Sequence, residues 1–232
     1  MLNFFRSSVR RISLRSLIVV ASLAILLPGC LTIEENYTFK KDGSGTMEYV
    51  VDMSELAELM KGLPGKDKKG KDDGLGKMDL KEVKDRLKGI PGVSKVKMKE
   101  EKDGFIQRLS FKFKDVQALN GALNRIMADS TGGPQEVFRW DGSTLVRTGN
   151  KHARELGGDM GGEGGDSTDM SAMLQMMHYK LNFKFAEDVD TTKVAEGMNT
   201  ETVSARQVKF NTDWSVITKD PAALDVRIQL RR

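Results

Sequence analysis

The chain has 232 residues, of which 37 are Lys or Arg and 33 are Asp or Glu, and it carries one cysteine. A single cysteine excludes an internal disulfide, and the length allows one domain with a real core or two small ones. The net charge of +4 is unevenly placed. Arg6, Arg10, Arg11 and Arg15 all precede the first acid, Glu34, and without these four the remainder holds 33 bases against 33 acids. Bulk charge therefore gives no support to a nucleic-acid partner.

Residues 1–15 are Arg-rich and acid-free, and residues 17–27 form an apolar run of eleven. That length falls within the roughly 7–15 residues of a signal-peptide core. The run ends in Leu27-Pro28-Gly29-Cys30, which has the form of a lipobox: aliphatic at −3, small at −1, cysteine at +1. The spacing follows from the chemistry. A thiol at the membrane surface takes a diacylglyceryl group, cleavage frees its amine, and the acyl chains hold the protein by burying methylenes at ~0.8 kcal/mol each. The competing reading is an uncleaved anchor, since the apolar stretch counted through Ile33 is near the ~17-residue minimum for a spanning helix. Pro28-Gly29 would break that helix near its end. The expectation is a signal peptide over residues 1–29 and a mature protein over residues 30–232, tied to a membrane by acyl chains on Cys30. Leu31-Thr32 lacks the aspartate of a retention signal, which points to the outer membrane.

In the mature part, residues 34–39 and 46–51 read as strands around the turn Lys41-Asp42-Gly43-Ser44-Gly45. Ser54 caps a short helix with Leu56, Leu59 and Met60 at helical spacing. After a Gly/Lys/Asp-rich segment at 64–77, expected to be flexible, Leu80, Val83 and Leu87 mark a second helix. Gly89-Ile90-Pro91-Gly92 is its stop signal. Residues 93–98 and 105–113 read as strands, the second with Leu109, Phe111 and Phe113 alternating with polar residues. Asp115 caps a helix carrying Val116, Leu119, Leu123, Ile126 and Met127 on one side.

Asp141-Gly142 is a hairpin turn between residues 137–140 and 144–147. Residues 149–169 are rich in Gly, Asp and Glu and are expected to be a flexible insert. A short helix at 169–177 leads into a strand with Tyr179, Leu181, Phe183 and Phe185 inward. Further strands are expected at 202–210, at 214–217 and at 224–230. One apolar face per strand with interspersed helices predicts a single α+β domain: a largely antiparallel sheet with helices packed on one face.

The order Phe111-Lys112-Phe113-Lys114-Asp115-Val116-Gln117-Ala118-Leu119, a hairpin over 138–146, then Leu181-Asn182-Phe183-Lys184-Phe185 with Val189, resembles the domain of LppM-type bacterial lipoproteins. The likeness spans roughly residues 31–217. It implies an envelope-facing α+β domain on a lipid anchor, in a family without established enzymatic activity, and it carries over no site residue.

Catalysis finds little footing. Cys30 is committed to acylation, His152 and His178 are the only histidines, and no nucleophile-elbow sequence accompanies them. No Cys/His pair has zinc spacing, and Gly43-Ser44-Gly45 lacks the Gly-Lys-Ser/Thr of a phosphate loop. No metal or cofactor is expected. Met170, Met173, Met176 and Met177 beside His178 offer soft ligands suited to Cu(I), although methionines also fill irregular gaps in a core. The second candidate is a basic face: Lys95, Lys97, Arg108, Lys112, Lys180 and Lys184 all fall on the polar sides of strands. Beside a membrane such a face would attract anionic headgroups or acidic glycans, whereas lysine is also ordinary on exposed strands. The expected function is a non-catalytic binding or structural module on a membrane, with a lipid or glycolipid as candidate ligand. The alternative is a protein-interaction subunit of an envelope assembly.

Overall fold

The computed structural model describes residues 30–61, 80–127, 133–149, 153 and 167–231. The signal-peptide and lipobox positions before Cys30, the segment 64–77 and most of 149–169 lie outside these residues.

Strands β1 (Leu31–Phe39) and β2 (Gly45–Asp52) form the expected hairpin. Gly43 takes the left-handed conformation (φ +79°), and the Lys40 N–H donates to the Ser44 carbonyl at 2.8 Å. Gly45 is required for a different reason. A Cβ there would sit 2.0 Å from the Thr38 carbonyl oxygen and 2.5 Å from the Phe113 ring.

Helix α1 (Ser54–Lys61) follows β2, and α2 (Leu80–Leu87) leads to β3 (Val93–Glu101) and β4 (Ile106–Phe113). The chain does turn after α2, but the left-handed residue is Gly92 (φ +82°) rather than Gly89, and the Ile90 N–H donates to the Leu87 carbonyl. Asp115 caps α3 (Val116–Ile126) by accepting the Ala118 N–H at 2.8 Å. Then come β5 (Phe138–Asp141), β6 (Thr144–Arg147), α4 (Ser167–Gln175), β7 (Met177–Phe185), β8 (Val189–Val194), β9 (Asn199–Ser204), β10 (Gln207–Asp213), α5 (Trp214–Ile217) and β11 (Val226–Leu230).

Two sheets result. The larger has seven strands in the order β3-β4-β2-β1-β7-β10-β9, and the smaller has four in the order β5-β6-β11-β8. Every pairing is antiparallel except β1 with β7. The sequence predicted one largely antiparallel sheet; the antiparallel character holds, while the division into two sheets and the parallel central pair were not foreseen.

Strict alternation puts Ile33, Tyr37 and Phe39 of β1 on the inner face with Tyr179, Leu181 and Phe183 of β7. The smaller sheet meets them with Phe138, Leu145, Val226 and Ile228, and α3 adds Leu119, Ala122 and Leu123. Phe138 stands edge-on to Tyr37 at 4.9 Å, and Phe183 stacks on Tyr37 at 5.1 Å. Each such side chain contributes roughly 1.5–3 kcal/mol by leaving water, which makes the space between the sheets the centre of stability.

Three expectations need correction. Residues 202–210 are not one strand but parts of β9 and β10, turned at Ala205-Arg206. Residues 214–217 are helical. Trp214 and Ile217 lie three apart, which buries both on one helical side, and Asp213 accepts the N–H of Ser215 and Val216 at 2.8 and 3.3 Å. Finally, the outer face of the larger sheet is not polar throughout: Val50 and Ile106 point to it and are buried, apart from the main core.

Candidate functional site

Cys30 is half-buried at the edge of the core and is followed immediately by β1. Burial raises its thiol pKa above the ordinary value. A lipid on this sulfur would therefore be joined to the central part of the larger sheet with no intervening linker.

The six residues of the expected basic face all lie on or beside the outer face of that sheet, and the register divides them. Lys112 of β4 aligns through Thr46 of β2 and Thr38 of β1 with Lys184 of β7. At ~4.8 Å per strand, three steps separate Lys112 from Lys184 by about 14 Å. Lys180 lies on the Lys184 side, across Glu34 of β1. Arg108 is engaged by acids, 3.2 Å from Glu101 and 3.7 Å from Glu48.

Lys95, Lys97 and Lys112 are brought together. Between Ser94 and Lys97 the β3 register shifts, so that Lys95 and Val96 stand opposite Phe111 alone. Lys95 takes φ +54° in this bulge. Bulges re-aim side chains, and here Lys95 faces Lys112. Its charge, joined by those of Lys40 and Lys97, holds the Lys112 amine below the usual lysine range. These side chains border an open groove of about 350 Å³ whose floor carries Asn36, Thr38, Thr46 and Ser110.

A second constellation escaped the sequence reading. Glu35 and Arg147 are both buried between the sheets, one on β1 and the other on β6. Arg147 Nη2 donates to Glu35 Oε1 at 3.2 Å and Oε2 at 3.1 Å, and Nη1 donates to the Leu224 carbonyl at 2.9 Å. The Tyr37 hydroxyl donates to Glu35 at 2.6 Å, and the Tyr179 hydroxyl donates to its other oxygen. Tyr49, paired with Glu35 across the β1–β2 ladder, keeps its hydroxyl without a hydrogen-bond partner among the described residues. Burial first, and then the Glu35 charge, push all three tyrosine hydroxyls well above the usual range. These are all the tyrosines in the chain. The signal was present in the sequence: in Leu31, Ile33, Glu35, Tyr37, Phe39 one charge interrupts an otherwise apolar column.

The methionine and histidine candidates separate. Met173 packs at the core margin, Met177 is buried as the first residue of β7, and Met176 is exposed. Met176 closes the last helical turn and Met177 opens β7, so the cluster is divided between helix and strand. His178 is half-buried, its pKa lowered by burial and by Lys180. His152 lies outside the described residues. Among the described residues no three His, Cys, Asp or Glu side chains cluster as a metal site requires, and no helix is long and apolar enough to cross a membrane.

No protein-family model matches the chain, and no curated protein is similar to it. Among solved structures, the chain is similar to the folded domain of the LppM protein of Mycobacterium tuberculosis, determined by NMR. The TM-score is 0.47 and the identity 14%, over 88% of this chain and 91% of that chain. An overlap of that size describes neither a ligand nor an activity.

Proposed function

We propose that this protein is a lipid-anchored lipoprotein of the bacterial envelope whose α+β domain works without catalysis, as a binding or structural module at the outer membrane. The observation that carries the reading is the junction at Cys30: a signal-peptide-like leader and lipobox end at the residue that enters β1. Acylation there sets the domain directly against the headgroups, because no tether separates them. Facing the periplasm or the cell surface, it presents its grooves and sheet edges to envelope components. The space between the sheets is filled by aromatic rings and the Glu35–Arg147 pair, so a lipid or glycolipid ligand would be engaged from the surface. The alternative, a protein-interaction subunit of an envelope assembly, draws on β9, an edge strand exposed along its whole length. Such edges accept a further strand from a partner.

Metabolic labelling with a radioactive fatty acid tests the anchor. The wild-type chain is expected to take label and to fractionate with membranes, and Cys30→Ala to lose both. Label retained in Cys30→Ala, or a wild-type protein found unlabelled in the soluble fraction, would overturn the reading.

A further inference from the structure

We infer that the groove beneath Lys95, Lys97 and Lys112 is a binding site for an acidic saccharide of the envelope, held at the end of the domain remote from the anchor. Its direction relative to the membrane rests on the Cys30 reading; its chemistry does not.

The first support is the convergence of like charge. The bulge at Lys95 forces a non-glycine residue to a left-handed φ and points its amine at Lys112, with Lys40 and Lys97 adding to the same field. Without an anion this crowding is unfavourable, and a bound carboxylate or phosphate relieves it. Among the described residues Glu48 is the one acid lining the groove, and it is already engaged by Arg108 at 3.7 Å and by the Asn36 amide at 3.5 Å. The three amines are thus placed to pair with an outside anion.

The second support is the floor. Thr38, Thr46 and Ser110 offer hydroxyls that both donate and accept. That lining suits a polyol bearing anionic groups better than a bare inorganic anion. It is equally unsuited to a bilayer. Among the described residues the large exposed apolar side chains are Met176 and Val203, and neither lines the groove. A membrane-docking face would need an apolar wedge beside its bases.

The third support is position. Thr38 lies eight residues along β1 from Cys30, about 26 Å at ~3.3 Å per residue. The groove is thus separated from the Cys30 sulfur by more than a Debye length of about 8 Å at physiological salt. With β1 standing along the membrane normal, that separation holds the field of its lysines out of reach of the headgroups at the anchor.

The test uses the full lipidated chain in neutral phosphatidylcholine nanodiscs. It is titrated with polygalacturonate oligomers, long-chain polyphosphate and neutral dextran, and mixed separately with phosphatidylglycerol vesicles in a co-sedimentation assay. Binding is expected for polygalacturonate, weaker for polyphosphate, and absent for dextran and vesicles. The double variant Lys95→Gln/Lys112→Gln should weaken polygalacturonate at least about tenfold, as two charge-assisted contacts are lost. Lys180→Gln/Lys184→Gln, on the same face but outside the groove, should leave it unchanged. Equal losses in the two double variants, polyphosphate binding as tightly as polygalacturonate, capture by vesicles alone, or no binding at all would each overturn the inference. Intact polygalacturonate binding by a chain that fails to take fatty-acid label would sink the anchor and spare the groove.

Discussion

Glu35 and Arg147 have exchanged water for each other, two tyrosine hydroxyls and a backbone carbonyl. Removing one partner strands a charge in the core. Arg147→Met is therefore expected to cost about 3–5 kcal/mol, while Glu35→Leu/Arg147→Met together recover most of it, because an apolar pair fits the same space without desolvation. Urea denaturation of the two single variants and the double variant measures the coupling, and additive losses would show that the pair contributes nothing beyond packing. The tyrosines give a pH signature. Their folded pKa values stand well above the ordinary value of 10.0, so their contribution is complete below pH 10 and falls as pH rises past it. With three such groups the slope is on the order of 4 kcal/mol per pH unit. Tyrosinate absorbance should stay silent through pH 10 and then appear in one step with unfolding; a gradual rise while the near-ultraviolet circular dichroism stays native would contradict it. Tyr49→Phe removes an unpartnered hydroxyl and is expected to be neutral or stabilising, whereas Tyr37→Phe loses a bond to Glu35 and should cost about 1–2 kcal/mol. Period-two counting shows that Glu35 belongs to the apolar column of β1, but nothing in one strand names its partner 112 positions away.

Among the elements, α3 does more than cover the sheet. Asn120 and Asn124, one turn apart, act as a surrogate strand for the segment entering β5. Asn120 donates to the Phe138 carbonyl at 2.7 Å and accepts its N–H at 2.8 Å, and Asn124 does the same for Gln135 at 2.8 and 2.8 Å. Asn120→Leu leaves a buried backbone donor and acceptor unpaired and is expected to cost about 2–4 kcal/mol, read as a lower denaturation midpoint. Gly45→Ala drives a methyl into the Thr38 carbonyl and should cost at least about 2 kcal/mol by the same measurement, since the neighbour is backbone and cannot step aside. Long strands with one apolar face were legible, β4 and β7 above all, as were the caps at Asp115 and the turn at Asp141-Gly142. The strand β8 was not, because Asp190, Thr191 and Lys193 leave it no continuous apolar side. Trp214 to Ile217 deceived for the opposite reason: four residues are too few to separate alternation from a single helical turn.

At the scale of the whole molecule, the division into two sheets depends on where a chain of short strands chooses to pair, and periodicity is silent about that. The parallel β1–β7 contact joins Leu31 to Met177, so the larger sheet closes only after the strand that completes it has been made. The groove also needed three dimensions. The sequence placed six bases on polar faces, whereas the register sorts them into one convergent trio, two lysines three strands off and an arginine already satisfied.

The emergence of β1 directly from Cys30 has a mechanical side. This strand is paired along its length to β2 on one side and β7 on the other. A pull through Cys30 along the strand axis loads both ladders in shear, so their hydrogen bonds share the force and must yield together rather than unzip one at a time. A chain pulled at a frayed terminus would be peeled open by such a load. Here the load falls on a strand paired on both sides, and an optical-tweezers pull from Cys30 should meet its highest rupture force at the first event.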